Sequence, residues 1–145
     1  MKPTRTMVTD RVVVEARNER LATIARFVSE WARRAGFSED NIRDLELATE
    51  ELCSNITQHG YPPETLGVIE IQCRDEGDKG SIYIIDGAPL FDPCSWSPDQ
   101  PSSDISEATP GGRGLAMVHR VVDSIEHERN PGGGNRVRIV KKKSG

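Results

Sequence analysis

Apolar residues recur at intervals of three and four from Leu21 through Ile24, Ala25, Val28, Trp31 and Ala32 to Ala35, which predicts an amphipathic helix that Asn18 can cap and Gly36 can end. Ser38 is placed to cap a second helix whose apolar stripe is Ile42, Leu45, Ala48, Leu52 and Ile56; it runs to Gly60, with Pro62 and Pro63 beyond. Strands are expected where β-branched residues cluster: at 11–16 on Val12, Val13 and Val14, at 68–74 with Ile69, Ile71 and Cys73 on one face, and at 81–86, 124–129 and 136–142. Asp75 to Gly80 and the run Asn130-Pro131-Gly132-Gly133-Gly134 supply turns. A third helix is expected over 114–122, with Leu115, Val118 and Val122 inward. These faces are buried most simply in an α+β two-layer sandwich, with helices on one face of a mixed, mostly antiparallel sheet.

The second helix carries the first candidate chemistry. At about 100° per residue, Asn55 projects about 60° and Glu51 about 100° from the centre of the apolar stripe, on the same side, whereas Glu50 points about 160° away into solvent. An amide and a carboxylate one turn apart can serve a metal–phosphate site; taken alone, the same pair is also an ordinary polar flank of an amphipathic helix.

Two further segments bear on that choice. The strand ending at Asp86 turns at once through Gly87, Ala88 and Pro89, and an acid fixed at a strand end can accept from an exocyclic amine such as that of adenine. Gly111, Gly112, Arg113, Gly114 and Leu115 open the third helix, where free N–H groups and the positive dipole end suit phosphate, and Arg113 is the local cation. Between Cys94 and Pro110 lies a polar stretch without a sustained period, expected to be either a lid or a surface loop.

Composition narrows the options. A chain of 145 residues with 35% hydrophobic content suits one domain. A formal net charge of −4 argues against direct nucleic-acid binding, and Lys141-Lys142-Lys143 reads as a solvated end. Three scattered cysteines without a C-x-x-C pair fit reduced thiols, and no segment approaches the roughly 20 apolar residues of a membrane span, so the expectation is a cytoplasmic protein with no membrane partner. His59 is expected to be structural, His119 and His127 form no i, i+4 metal pair, and no G-x-x-x-x-G-K-[ST] loop is present.

The order of these boxes resembles the GHKL, or Bergerat-fold, ATPase superfamily, and within it the small anti-sigma factor serine/threonine kinases. Their E-x-x-x-N and H-G-Y are met by Glu51, Asn55 and His59-Gly60-Tyr61, and their D-x-G-x-x-F-D-P by Asp86 with Phe91-Asp92-Pro93. Their G-G-x-G-L is met by Gly111 to Leu115, and their G-G-N-x-V by Gly133-Gly134-Asn135-Arg136-Val137. Each box alone is a weak signal; four in order over about residues 12–142 are specific. Ala88 stands where the pattern has a second glycine, and its methyl group is expected to crowd a nucleotide against the backbone.

The resemblance implies a single histidine-kinase-like ATPase domain over 1–145, with its core at about 12–142 and an ATP lid at 94–113. It implies ATP and Mg²⁺ as cofactors, with Asn55 on the metal. Asp86 and Ala88 would lie at the adenine, Gly111, Gly112, Arg113, Gly114 and Leu115 at the phosphates, and Glu51 would act as catalytic base. The implied partners are an anti-anti-sigma (STAS-domain) protein phosphorylated on serine and a sigma factor, with a homodimer allowed. The alternative is a nucleotide-dependent regulatory binding module with little or no kinase activity. Glu51 favours the kinase, because a pure binding module has no use for a base beside the metal ligand.

Overall fold

The computed structural model describes residues 9–88, 112–129 and 133–145. Its elements run β1 (Thr9–Glu15), α1 (Leu21–Ala35), α2 (Glu39–Asn55), β2 (Val68–Asp75), β3 (Lys79–Asp86), α3 (Gly112–Val121), β4 (Ser124–Arg129) and β5 (Asn135–Lys142). The five strands form one sheet in the order β1-β2-β3-β5-β4, and all four pairings are antiparallel. This is the expected α+β sandwich, with no parallel pair among the described strands.

Alternation along the strands makes the two faces different. Ile69, Ile71 and Cys73 of β2, Ile82 and Ile84 of β3 and Ile139 of β5 are fully buried and share one core with Ile24, Val28, Trp31, Leu45, Leu52, Leu115 and Val118 of the helices. The opposite face is polar. There the Tyr83 ring lies under the guanidinium groups of Arg136, Arg74 and Arg138, whose central carbons are 4.3, 4.6 and 5.8 Å from its centroid.

Local signals set most boundaries. Ser38 Oγ accepts from the Asn41 backbone N–H at 3.2 Å, capping α2, and Gly36 ends α1 in the left-handed region at φ 94°. Asn18 does not cap α1. It begins a 3₁₀ turn, Asn18–Arg20, and its side-chain oxygen accepts instead from the Thr57 hydroxyl at 2.7 Å. The lysine-rich tail is also not a solvated end. Lys141 Nζ pairs with Asp44 at 3.1 Å and donates to the Val121 carbonyl at the end of α3, while Lys143 pairs with Asp75 at 2.8 Å. Asn41 Nδ2 and Ser38 N bond the carbonyls of Lys142 and Lys143, fastening β5 to the start of α2.

The largest departure from the expected pattern lies after Asn55. The α-helix gives way to a π-helical turn over Ile56–Gly60, so the chain is wider there than a continuous α-helix. His59 lies within this turn and is half-buried.

Candidate active site

Helix geometry delivers Glu51 and Asn55 as their spacing implies. Glu50 is exposed, Glu51 is half-buried and Asn55 is 2% exposed. Burial pushes the Glu51 carboxyl above the usual carboxylate range; the nearby Asn55 amide opposes this and the Glu50 charge adds to it. Asn55 Nδ2 itself has no hydrogen-bond partner, an orphaned buried polar group that costs free energy unless a ligand answers it.

Gly114, in the first turn of α3, closes one side of this pair. A Cβ built on it would lie closer than 3.0 Å to the Cγ, Cδ and Oε2 atoms of Glu51. The carboxylate therefore rests directly on the α3 backbone, and only a glycine leaves it room. The glycine-rich segment was expected to form a turn ahead of a helix beginning at Gly114; instead the helix begins at Gly112, so Gly114 is a helical residue. Leu115 is 2% exposed and packed in the core, so its side chain does not reach a phosphate.

At the other end of the site, Asp86 closes β3. Its Oδ1 accepts from the Ala88 backbone N–H at 2.7 Å and from Asn135 Nδ2 at 3.1 Å. Asn135 Nδ2 also donates to the Ala88 carbonyl at 2.6 Å, and its Oδ1 lies 2.8 Å from His127 Nε2. Because the Asn135 nitrogen is committed to Asp86, its oxygen is the acceptor and His127 Nε2 carries the proton. Burial raises the Asp86 pKa from its ordinary value, opposed by the Asn135 and Ala88 hydrogen bonds and by His127 and Arg129. Gly134, at φ 95°, packs on the same turn: a Cβ there would come within 2.7 Å of Gly87 Cα and overlap the Asp86 carbonyl.

The two ends are joined by the segment after Asn55. The π turn brings Gly60 against Ala88, so that a Gly60 Cβ would sit 3.1 Å from the Ala88 methyl. The Ala88 methyl is thus turned toward Gly60 and is 1% exposed. Tyr61 follows, its hydroxyl 2.7 Å from both the Val68 carbonyl and the Gly87 nitrogen.

Sequence reasoning did not assign site roles to Tyr61, His127, Gly134 or Asn135. The H-G-Y and G-G-N boxes carried the signal for three of them; nothing local marks His127. Gly111, the side chain of Arg113 and the lid at 94–113 up to its residue 111 lie outside the described residues, as do Trp96 and Phe91-Asp92-Pro93.

The residues present fit magnesium. Asn55 offers an amide whose two ends exchange by a half-turn, which gives this hard cation an oxygen ligand of the kind it takes. The described residues contain no cluster of three or more His, Cys, Asp or Glu side chains able to hold a metal. Cys53 and Cys73 are buried and their thiol pKa values are pushed up, which makes them inert packing residues. No described helix is long and apolar enough to cross a membrane.

Comparison with known proteins places the chain in a family. The family model for the histidine kinase-like ATPase domain matches residues 14–141. Serine-protein kinase RsbW of Bacillus subtilis is 28% identical over 123 residues, covering 82% of this chain and 77% of that protein. The RsbW of Bacillus velezensis is 27% identical over the same shares, and that of Bacillus cereus strain AH187 is 30% identical over 117 residues, covering 78% of this chain and 72% of that one. A crystal structure of the RsbU and RsbW domains of Rv1364c from Mycobacterium tuberculosis superposes with a TM-score of 0.66 at 19% identity, covering 93% of this chain and 32% of that longer one, a likeness of fold. With the model matching nearly the whole chain, and with relatives aligned over most of their own lengths, this protein belongs to the histidine kinase-like ATPase domain family, in the branch that holds the RsbW serine-protein kinases.

Proposed function

We propose that this protein is an ATP-dependent serine kinase that acts as an anti-sigma factor, binding Mg-ATP and phosphorylating an anti-anti-sigma protein of the STAS class on serine. The observation that carries the chemistry is the Glu51 carboxylate, seated on the Gly114 backbone one turn from the orphaned Asn55 amide. Its raised pKa suits proton abstraction better than an ordinary surface glutamate does.

Asp86, held by Asn135 and Ala88, accepts from the exocyclic amine of adenine, and the first turn of α3 presents free N–H groups to the phosphates. Asn55 would hold Mg²⁺, which when bound supplies charge neutralisation on the triphosphate oxygens. Glu51 takes the proton of the acceptor serine as its oxygen bonds the γ-phosphorus; the bond from that phosphorus to the β,γ-bridging oxygen breaks, and ADP leaves. Since phosphoryl transfer is loose, the placement of these groups is the main contribution of the protein.

The test is incubation of the purified protein with radiolabelled ATP, magnesium and purified STAS-domain proteins of the same organism, with ATP binding followed in parallel by titration calorimetry. Label on a serine of the STAS protein supports the kinase. Absence of ATP and ADP binding at millimolar nucleotide overturns the reading. Binding of both nucleotide and partner without transfer replaces it with the regulatory binding module.

A further inference from the structure

Tyr61 occupies a place in the sheet that a backbone rung would otherwise fill. In the β2–β3 register Ile69 faces Asp86, so the next pair outward would be Val68 with Gly87. That rung is not made directly. The Tyr61 hydroxyl stands between the two, donating to the Val68 carbonyl and accepting from the Gly87 N–H, each at 2.7 Å. A hydroxyl has one proton and two lone pairs, so both bonds are satisfied at once.

The ring is fixed as well. It lies across Gly67, where a Cβ would overlap the ring carbons, and Tyr61 follows directly on the π turn that begins after Asn55. One side chain thus ties the end of the Asn55 helix, the start of β2 and the exit of β3. Its hydroxyl stands between β3 and β2 immediately after Asp86, one residue from that carboxylate.

We infer that Tyr61 is a specificity-determining positioning residue for the nucleotide, holding the turn after Asp86 open and in register so that the carboxylate meets an adenine amine. The inference rests on the nucleotide-binding reading above. Adenine presents a donor to Asp86, whereas guanine presents a carbonyl oxygen at the same ring position, and two acceptors facing each other repel. Discrimination between the two bases therefore depends on how firmly the Asp86 turn is held.

The experiment compares the wild type with Tyr61→Phe by amide hydrogen exchange without nucleotide, and by ATP and GTP titrations. The Gly87 amide is expected to be protected in the wild type and to lose that protection in Tyr61→Phe, while the Ile71 and Ile84 amides in the sheet interior keep theirs. ATP affinity should fall about three- to tenfold, the scale of one hydrogen bond, and GTP affinity much less, narrowing the ratio. An unchanged ratio, or a Gly87 amide that exchanges at the free rate in the wild type, overturns the inference. The wild-type amide remains decisive if the variant fails to fold. A wild type that binds neither nucleotide sinks the nucleotide reading, and the Gly87 amide still reports separately whether the hydroxyl bridge exists.

Discussion

Gly114→Ala separates stability from catalysis in a way that follows directly from the packing of Glu51. The added methyl carbon would fall within 3.0 Å of three Glu51 atoms, well inside ordinary contact at 3.4–4 Å. The obstructing atoms are the far end of a flexible side chain, so the carboxylate swings away and the backbone is left undisturbed. Replacing a helical glycine by alanine contributes up to about 1 kcal/mol of helix propensity. For a domain of this size that corresponds to a rise in melting temperature of roughly 2–4 °C. Displacing a general base lowers transfer by about 10²–10⁴-fold. The variant should therefore be at least as stable as the wild type by calorimetric melting, and nearly inactive in transfer of label to a STAS-domain protein. Wild-type transfer by Gly114→Ala would show that the observed seat of Glu51 is not its working position. A fall of several degrees in melting temperature would show that the clash is relieved by the backbone rather than by the side chain.

The other consequences concern charge and contact. Transfer requires ionised Glu51, whose pKa burial raises, so the rate should fall as pH drops through a value above the usual glutamate range; a profile flat down to that ordinary range would contradict the burial argument. Asp86 also has a folded pKa above its unfolded one, so its contribution to stability is fully present below the unfolded value and is lost as pH rises through the folded value; ionised Asp86 is a net cost at neutral pH. Asp86→Asn should accordingly melt no lower than the wild type at neutral pH while losing ATP affinity, and a large loss of stability would refute this. Ala88→Gly should leave ATP affinity unchanged by calorimetry, because the methyl is turned toward Gly60; tighter binding would restore the expectation that it crowds the nucleotide.

What the sequence made legible was whatever depends on short-range spacing. The 3.6-residue period placed α1 and α2 and turned Glu50 further into solvent than Glu51, Ser38 and Gly36 marked helix ends, and β4 falls on its expected residues. The π turn was not legible, because one widened turn leaves no mark on an apolar stripe that is already ending. The lysine tail shows a further limit: a run of like charges reads as solvated until Asp44 and Asp75, distant in the chain, are seen to meet it. In the site, residues whose chemistry is local to one helix were found, whereas Asn135, His127 and Tyr61 act through contacts to other elements. Leu115 was assigned to the phosphates because it belongs to the glycine-rich box, yet its side chain serves the core.

The kinase account is tested most directly by comparing Glu51→Gln with Glu50→Gln in a single-turnover transfer of γ-phosphate to the STAS-domain protein, read by mass spectrometry, with ATP binding measured on the same samples. The half-buried glutamate on the Gly114 backbone is predicted to be indispensable and its exposed neighbour dispensable. Glu51→Gln should bind ATP and transfer phosphate about 10²–10⁴-fold more slowly, while Glu50→Gln matches the wild type. Equal transfer by Glu51→Gln and the wild type would contradict the assignment of the base and, with it, the central claim about how this site works.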